Sequence, residues 1–215
     1  MLAGRRHLVV QQPAAARVDR GEPRLKVLGD MAWWLSMLAW SAALVAAGAA
    51  AISAFTRLPA IEATMPGIAG FFADDPAGAA RFVAGYVTNP IFLVTDRVCL
   101  AAAGIAVLSL FATRFRPGGP GPGGRIAAVA GIVAILVLGW YLIAIAPPLA
   151  EALADWRSAV FANDRAAATE AWGRFDPLHR LASRSLGFQF TALAVAIIAS
   201  ATAGRGGGRP KEERS

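Results

Sequence analysis

Two short stretches hold nearly all the side chains that could do chemistry inside an otherwise apolar chain. The first is Asp96-Arg97, set within the run 82–112 (FVAGYVTNPIFLVTDRVCLAAAGIAVLSLFA). The second is His179-Arg180-Leu-Ala-Ser183-Arg184, which opens the last apolar run. Ionisable groups at membrane depth are expensive, so they are usually paired, wetted or functional. His179, Ser183 and Gly187 share one helical face at i, i+4 spacing, and Arg180 and Arg184 share the neighbouring face. Three kinds of chemistry fit these residues. Pairs such as Asp96–Arg184 or Arg97–Asp176 would neutralise charge and pin helices together. An imidazole at His179 beside Asp96 would handle protons or ions, because histidine changes charge in the neutral range. Arg97, Arg180 and Arg184 would hold an anionic lipid headgroup between helices.

Other chemistries find no residues to carry them. Cys99 is the single cysteine, and His7 and His179 are the only histidines, which is too few for a Cys/His zinc site or a bis-histidine haem. The glycine-rich string Gly118–Gly124 has neither the following Lys-Ser/Thr nor the preceding strand of a phosphate loop. No hydrolase elbow or HExxH string occurs, and the serines near 183–185 lack triad partners. The expectation is therefore no catalytic residue, no metal and no cofactor: a non-enzyme. A formal charge of +7 would suggest nucleic acid in a soluble chain, yet no recognition motif accompanies it, and nucleic acid is not an expected partner.

The elements that must position these residues are membrane helices. The chain is 56% apolar and only 16% charged, with a mean hydropathy of +0.51, outside the range of soluble domains. Four runs are long enough to cross a bilayer: 31–56, 82–112, 126–146 and 181–203. The fold class expected is all-α, an integral bundle of four transmembrane helices. In the first run, Trp33 and Trp34 suit an interfacial belt and Trp40 a packing position, while Ala42, Ala46, Ala49, Ala50 and Ser53 offer a small-residue face to another helix. A second small face lies at Ala101–Gly104. Pro90 predicts a kink or a helix start near 89–91. The third run is expected to stop at Pro147-Pro148, with Trp140 and Tyr141 as belt residues.

Between the runs, 57–81 reads as a loop whose apolar string Met65–Phe72 could touch the membrane surface, and 113–125 as a flexible Pro/Gly connector. Residues 149–175 repeat apolar side chains at helical spacing, which predicts one or two amphipathic helices on or just above the membrane. Asn163 or Asp164 would cap the second, which carries Trp172. Residues 1–30 and 204–215 read as disordered polar tails.

Of the 21 Lys/Arg, 13 fall in the two tails and the 113–125 connector, against six in the two remaining loops. The positive-inside rule then places both termini in the cytoplasm, with the Asp96 and His179 stretches toward the outer face of an inner membrane.

Phe175-x-x-x-His179-x-x-x-Ser183, taken with Pro90-x-Phe92-x-x-x-Asp96-Arg97, resembles the small four-helix family of unknown function typified by transmembrane protein 205. The likeness covers roughly 32–203. Two turns after the histidine, Leu186 and Gly187 stand where that pattern has an asparagine, with Gln189 nearby. The resemblance implies a fold and a membrane location, not an activity. Two functions from different classes follow from the residues. One is a structural protein whose small-residue faces bind other membrane helices or a second copy. The other is a small proton- or ion-coupled transporter built on Asp96 and His179. Asp96, His179 and Arg184 facing a common cavity would favour the second, and closed pairs or lipid-facing side chains the first.

Overall fold

The computed structural model describes residues 22–113 and 121–205, so the expectations for 1–21, 114–120 and 206–215 lie outside the described residues. Five α-helices make up the fold: α1 (Glu22–Ala60), α2 (Pro76–Thr113), α3 (Pro122–Trp140), α4 (Ala146–Phe161) and α5 (Arg165–Arg205). A π-helical turn, Tyr141–Ile145, joins α3 to α4 as one continuous rod. No strand occurs among the described residues. Four rods are long and apolar enough to span: Val27–Ala60, Pro76–Ala112, Pro122–Phe161 and Arg165–Ala203. The expected all-α bundle of four spans is the architecture found.

The rods pack as two antiparallel hairpins. α1 lies along α2, and α3–α4 lies along α5, while contact between the hairpins is sparser and runs mainly through α1 with α5 and α2 with α3. One end of the bundle holds the helix ends near 22, 113, 122 and 205; the other holds the turns 61–75 and 162–164. At 1.5 Å per residue, a 39-residue helix is about 58 Å long, nearly twice the ~30 Å hydrocarbon layer. The rods therefore overrun the bilayer. Their surplus at the turn end forms a helical head, and this alters several readings of the sequence.

Helix α1 begins at Glu22, with Pro23 in its first turn where the missing N–H is no loss, so residues 22–30 are helix rather than tail. Helix α2 runs unbroken through Pro90 and does not start there. Packing overrides the local preference: Ala84 and Thr88 before the proline and Thr95 and Cys99 after it are all buried. Pro147-Pro148 does not end the third rod. The π-turn, in which the Ala146 N–H reaches the Tyr141 carbonyl, lets the helix restart with both prolines in the first turn of α4, where their rings and absent donors are tolerated. The segment 149–175 consequently continues the long helices as α4 and the start of α5. Asp164 does cap the following helix, accepting from the Ala167 N–H at 3.0 Å, but that helix is the 41-residue α5. The reversal between α4 and α5 is tight enough to place Asn163 at φ +57°, a left-handed position asparagine tolerates.

Two cores result. Toward the termini end, Trp33, Met37 and Trp40 of α1 are fully enclosed by alanines and leucines of α2, α3 and α5. The edge of the Trp33 ring abuts Gly131, where any side chain would collide with it, and its indole N–H donates to Ser200 Oγ at 3.2 Å. Trp33 is thus a packing residue rather than a belt residue, as Trp40 is. In the head, Ile68 is wholly buried among Phe82, Val160 and Ala168, with Met65, Phe71 and Phe72 packed against the same cluster. The small face Ala42, Ala46, Ala49 and Ser53 is exposed along α1.

Candidate functional site

Where head and spanning bundle meet, the hairpins part and enclose a cavity of about 580 Å³. Each wall follows from a local feature already described. The α2 wall spans Pro90, and the unbroken helix carries Thr88, Asn89, Phe92 and Asp96 down one side. The opposite wall is the π-turn and α4, contributing Tyr141, Leu149, Leu153, Trp156 and Arg157. α5 closes the third side with Phe175, His179, Ala182, Ser183 and Leu186.

The floor is an Asp96–Tyr141 pair. The phenol O–H donates to Asp96 Oδ2 at 3.2 Å, joining α2 to the third rod. Tyr141 is 7% exposed, while its neighbour Trp140 is 49% exposed on the outside of the bundle. Only Trp140 keeps the orientation expected of a belt residue. Tyr141 is the first residue of the π-turn, and such single wide turns are frequent at functional sites because they re-aim side chains. Asp96 is half-buried, and no ion pair reaches it among the described residues.

Aromatic rings line the walls. Trp156 meets Phe82 edge-on at 5.1 Å, Trp172 at 4.9 Å and Phe175 in a stack at 5.9 Å, and Phe175 stacks in turn on His179 at 5.2 Å. These are spacings at which ring quadrupoles attract. Arg157 donates to the Gly85 carbonyl at 3.1 Å and lies over the Tyr86 ring at 5.0 Å, tying α4 to α2 across one flank. At the mouth, Arg81 and Asp75 approach to 3.9 Å, and Asp75 also caps α2 through the Gly78 N–H at 2.7 Å.

Of the six residues singled out in sequence, the structure gathers three. Asp96, His179 and Ser183 line the cavity. Ser183 donates to the His179 carbonyl within its own helix at 2.9 Å, so its hydroxyl is already engaged. Arg97, Arg180 and Arg184 are exposed and line nothing. Neither expected cross-helix ion pair forms: Asp176 is taken by Arg180 one turn along at 2.7 Å, and Asp96 is taken by Tyr141. Arg97 stands on α2 and Arg180 and Arg184 on α5, and none of the three lines the cavity.

Tyr141, Arg157 and the aromatic wall went unread in the sequence. The available signal was the stretch 146–161, which has helix formers after its prolines and no turn residue until Asn163. Beneath the floor, on the α5 seam running from Ala182 through Leu186, lies Gln189. It is 0% exposed, and among the described residues neither amide atom has a hydrogen-bond partner, nor do the buried Trp40 Nε1 and Ser41 Oγ. Among the described residues no three His, Cys, Asp or Glu side chains stand together as metal ligands.

Compared with known proteins, the chain matches no family model, no curated protein and no solved structure.

Proposed function

We propose that the protein binds a small amphiphilic ligand in the cavity between its two hairpins, and so serves as a membrane binding protein or carrier rather than a purely structural helix bundle. The observation that carries this reading is the cavity itself: a polar Asp96–Tyr141 floor under aromatic walls, the composition of small-molecule sites. Asp96 and His179 both border it, which favours the transport-type alternative of the sequence over a closed structural pair. The charge asymmetry of the chain supports an inner-membrane setting with cytoplasmic termini and a cavity opening toward the outer face. The likeness to the transmembrane protein 205 family is compatible with that setting.

A second reading rests on α1. Its small residues Ala42, Ala46, Ala49 and Ser53 are exposed and uncovered by any other described residue, which favours packing against a second copy or another membrane helix. The two readings are compatible, since a four-helix carrier gains walls by oligomerising.

Thiol accessibility tests the first reading. In a chain carrying Cys99→Ser, Leu153→Cys and Ser183→Cys should react with a membrane-impermeant maleimide applied from outside intact spheroplasts, and Leu138→Cys and Leu193→Cys should not. Equal protection at all four positions would close the cavity and leave the helix-packing reading alone. Reaction only from the cytoplasmic side would reverse the orientation.

A further inference from the structure

Two carboxylates line the cavity, and they are treated differently. Asp75, at the mouth, has Arg81 beside it. Asp96, at the floor, has only a phenol hydroxyl among the described residues. The basic side chains that face the cavity are otherwise engaged: Arg157 is held by the Gly85 carbonyl and the Tyr86 ring, and His179 is stacked on Phe175 at the rim. A half-buried carboxylate without a counter-charge is an unfavourable arrangement in an empty protein, because burial removes water without supplying a partner. It becomes favourable when a ligand brings the cation. The walls above Asp96 suit such a ligand as well, since electron-rich ring faces attract cations and their edges pack apolar bodies.

We propose that the cavity takes a lipophilic organic cation, with its charged centre at Asp96 and its apolar body along Phe82, Phe92, Trp156 and Phe175. This rests on the ligand-binding reading above and adds the sign of the ligand's charge to it. A cation supplies Asp96 with its missing partner, whereas an anion would have to approach that carboxylate and draw Arg157 away from Gly85. The cavity's volume of about 580 Å³ accommodates an aromatic cation of several rings.

A pair of probes that share a shape and differ only in charge decides the matter. Tetraphenylphosphonium and tetraphenylborate are offered to the full-length protein in maltoside micelles, by equilibrium dialysis against protein-free micelles to subtract partitioning. The phosphonium should bind saturably and the borate should not. Asp96→Asn should weaken phosphonium binding at least about tenfold, Asp96→Glu should stay within about threefold, and Tyr141→Phe, which keeps the carboxylate, should retain binding. A thermal melt of each variant confirms folding, and the contrast between the two ions on the unaltered chain stands even if Asp96→Asn does not fold. Equal binding of both ions, unaffected by Asp96→Asn, would overturn the cation assignment while leaving the cavity as a ligand site. Preference for the borate would overturn it in favour of an anion site at Arg157. Saturable binding of neither ion would also overturn it, and maleimide labelling at positions 153 and 183 then shows separately whether the cavity reading has failed with it.

Discussion

The termini half and the turn half of this bundle are built from the same rods by opposite means. Near the termini, large rings meet small residues: Trp33 abuts Gly131, and Trp40 and Met37 are enclosed by alanines. Near the turns, large rings meet one another, and the space they do not fill is the cavity. Size complementarity gives close packing, whereas rings stacked on rings hold a wall at a distance and leave room behind it. Position along a rod thus decides whether an aromatic side chain is a plug or a panel.

That contrast can be broken most forcefully in the termini half. Gly131→Leu drives a side chain into the Trp33 ring, and Trp33→Ala leaves a void and an orphaned Ser200. In a lipid setting the transfer part of the loss is muted and the cavity part remains, so each should cost roughly 2–4 kcal/mol, read as a drop in melting temperature in micelles. Melting unchanged by either would mean that the termini half is not the tightly packed one.

In the turn half, Phe175→Ala should cost less, about 1–2 kcal/mol, because one side of that ring already borders open space. A loss as large as that of Trp33→Ala would show the wall to be packed as densely as the core. Gln189→Leu, at the boundary between the halves, should run the other way and raise stability by about 1 kcal/mol, since it removes a buried amide with no partner. A fall in melting temperature would instead place an ordered water or a ligand group on that amide. The smallest effect belongs to the head's surface: Arg174→Ala breaks a 2.9 Å pair with Asp155, both half in solvent, and should change stability by less than about 1 kcal/mol.

How much of this was legible follows the same division. Composition exposed the four spans because apolar length is what a bilayer selects, and it exposed Asp96 and His179 because charge in such a run is conspicuous. Pairings were not legible, because a carboxylate can be met by any donor that packing brings near. Arg180 took Asp176 by local i, i+4 geometry, and Asp96 was left to a tyrosine 45 residues away. Tyr141 and Trp140 are adjacent and chemically alike as belt residues, and nothing in sequence says that one turns inward. The head was missed for a related reason. Pro147-Pro148 is a stop signal by local rules, and only the accommodating turn before it makes it a beginning.

That turn has a further consequence, which is one of phase. A single wide turn carries one residue more than the α-helical turn it replaces, so everything beyond it is rotated about the rod axis by roughly 100° from where an unbroken helix would place it. The third rod therefore keeps two registers, one set by Trp33 and α5 below, the other by α2 and the aromatic wall above. Forcing Tyr141–Ile145 into regular α-helix without removing a residue would swing Trp156 and Arg157 away from the cavity, whereas deleting one residue there would leave both halves in place on a regular helix. How the extra residue is accommodated, and not its presence alone, sets which side chains face the interior.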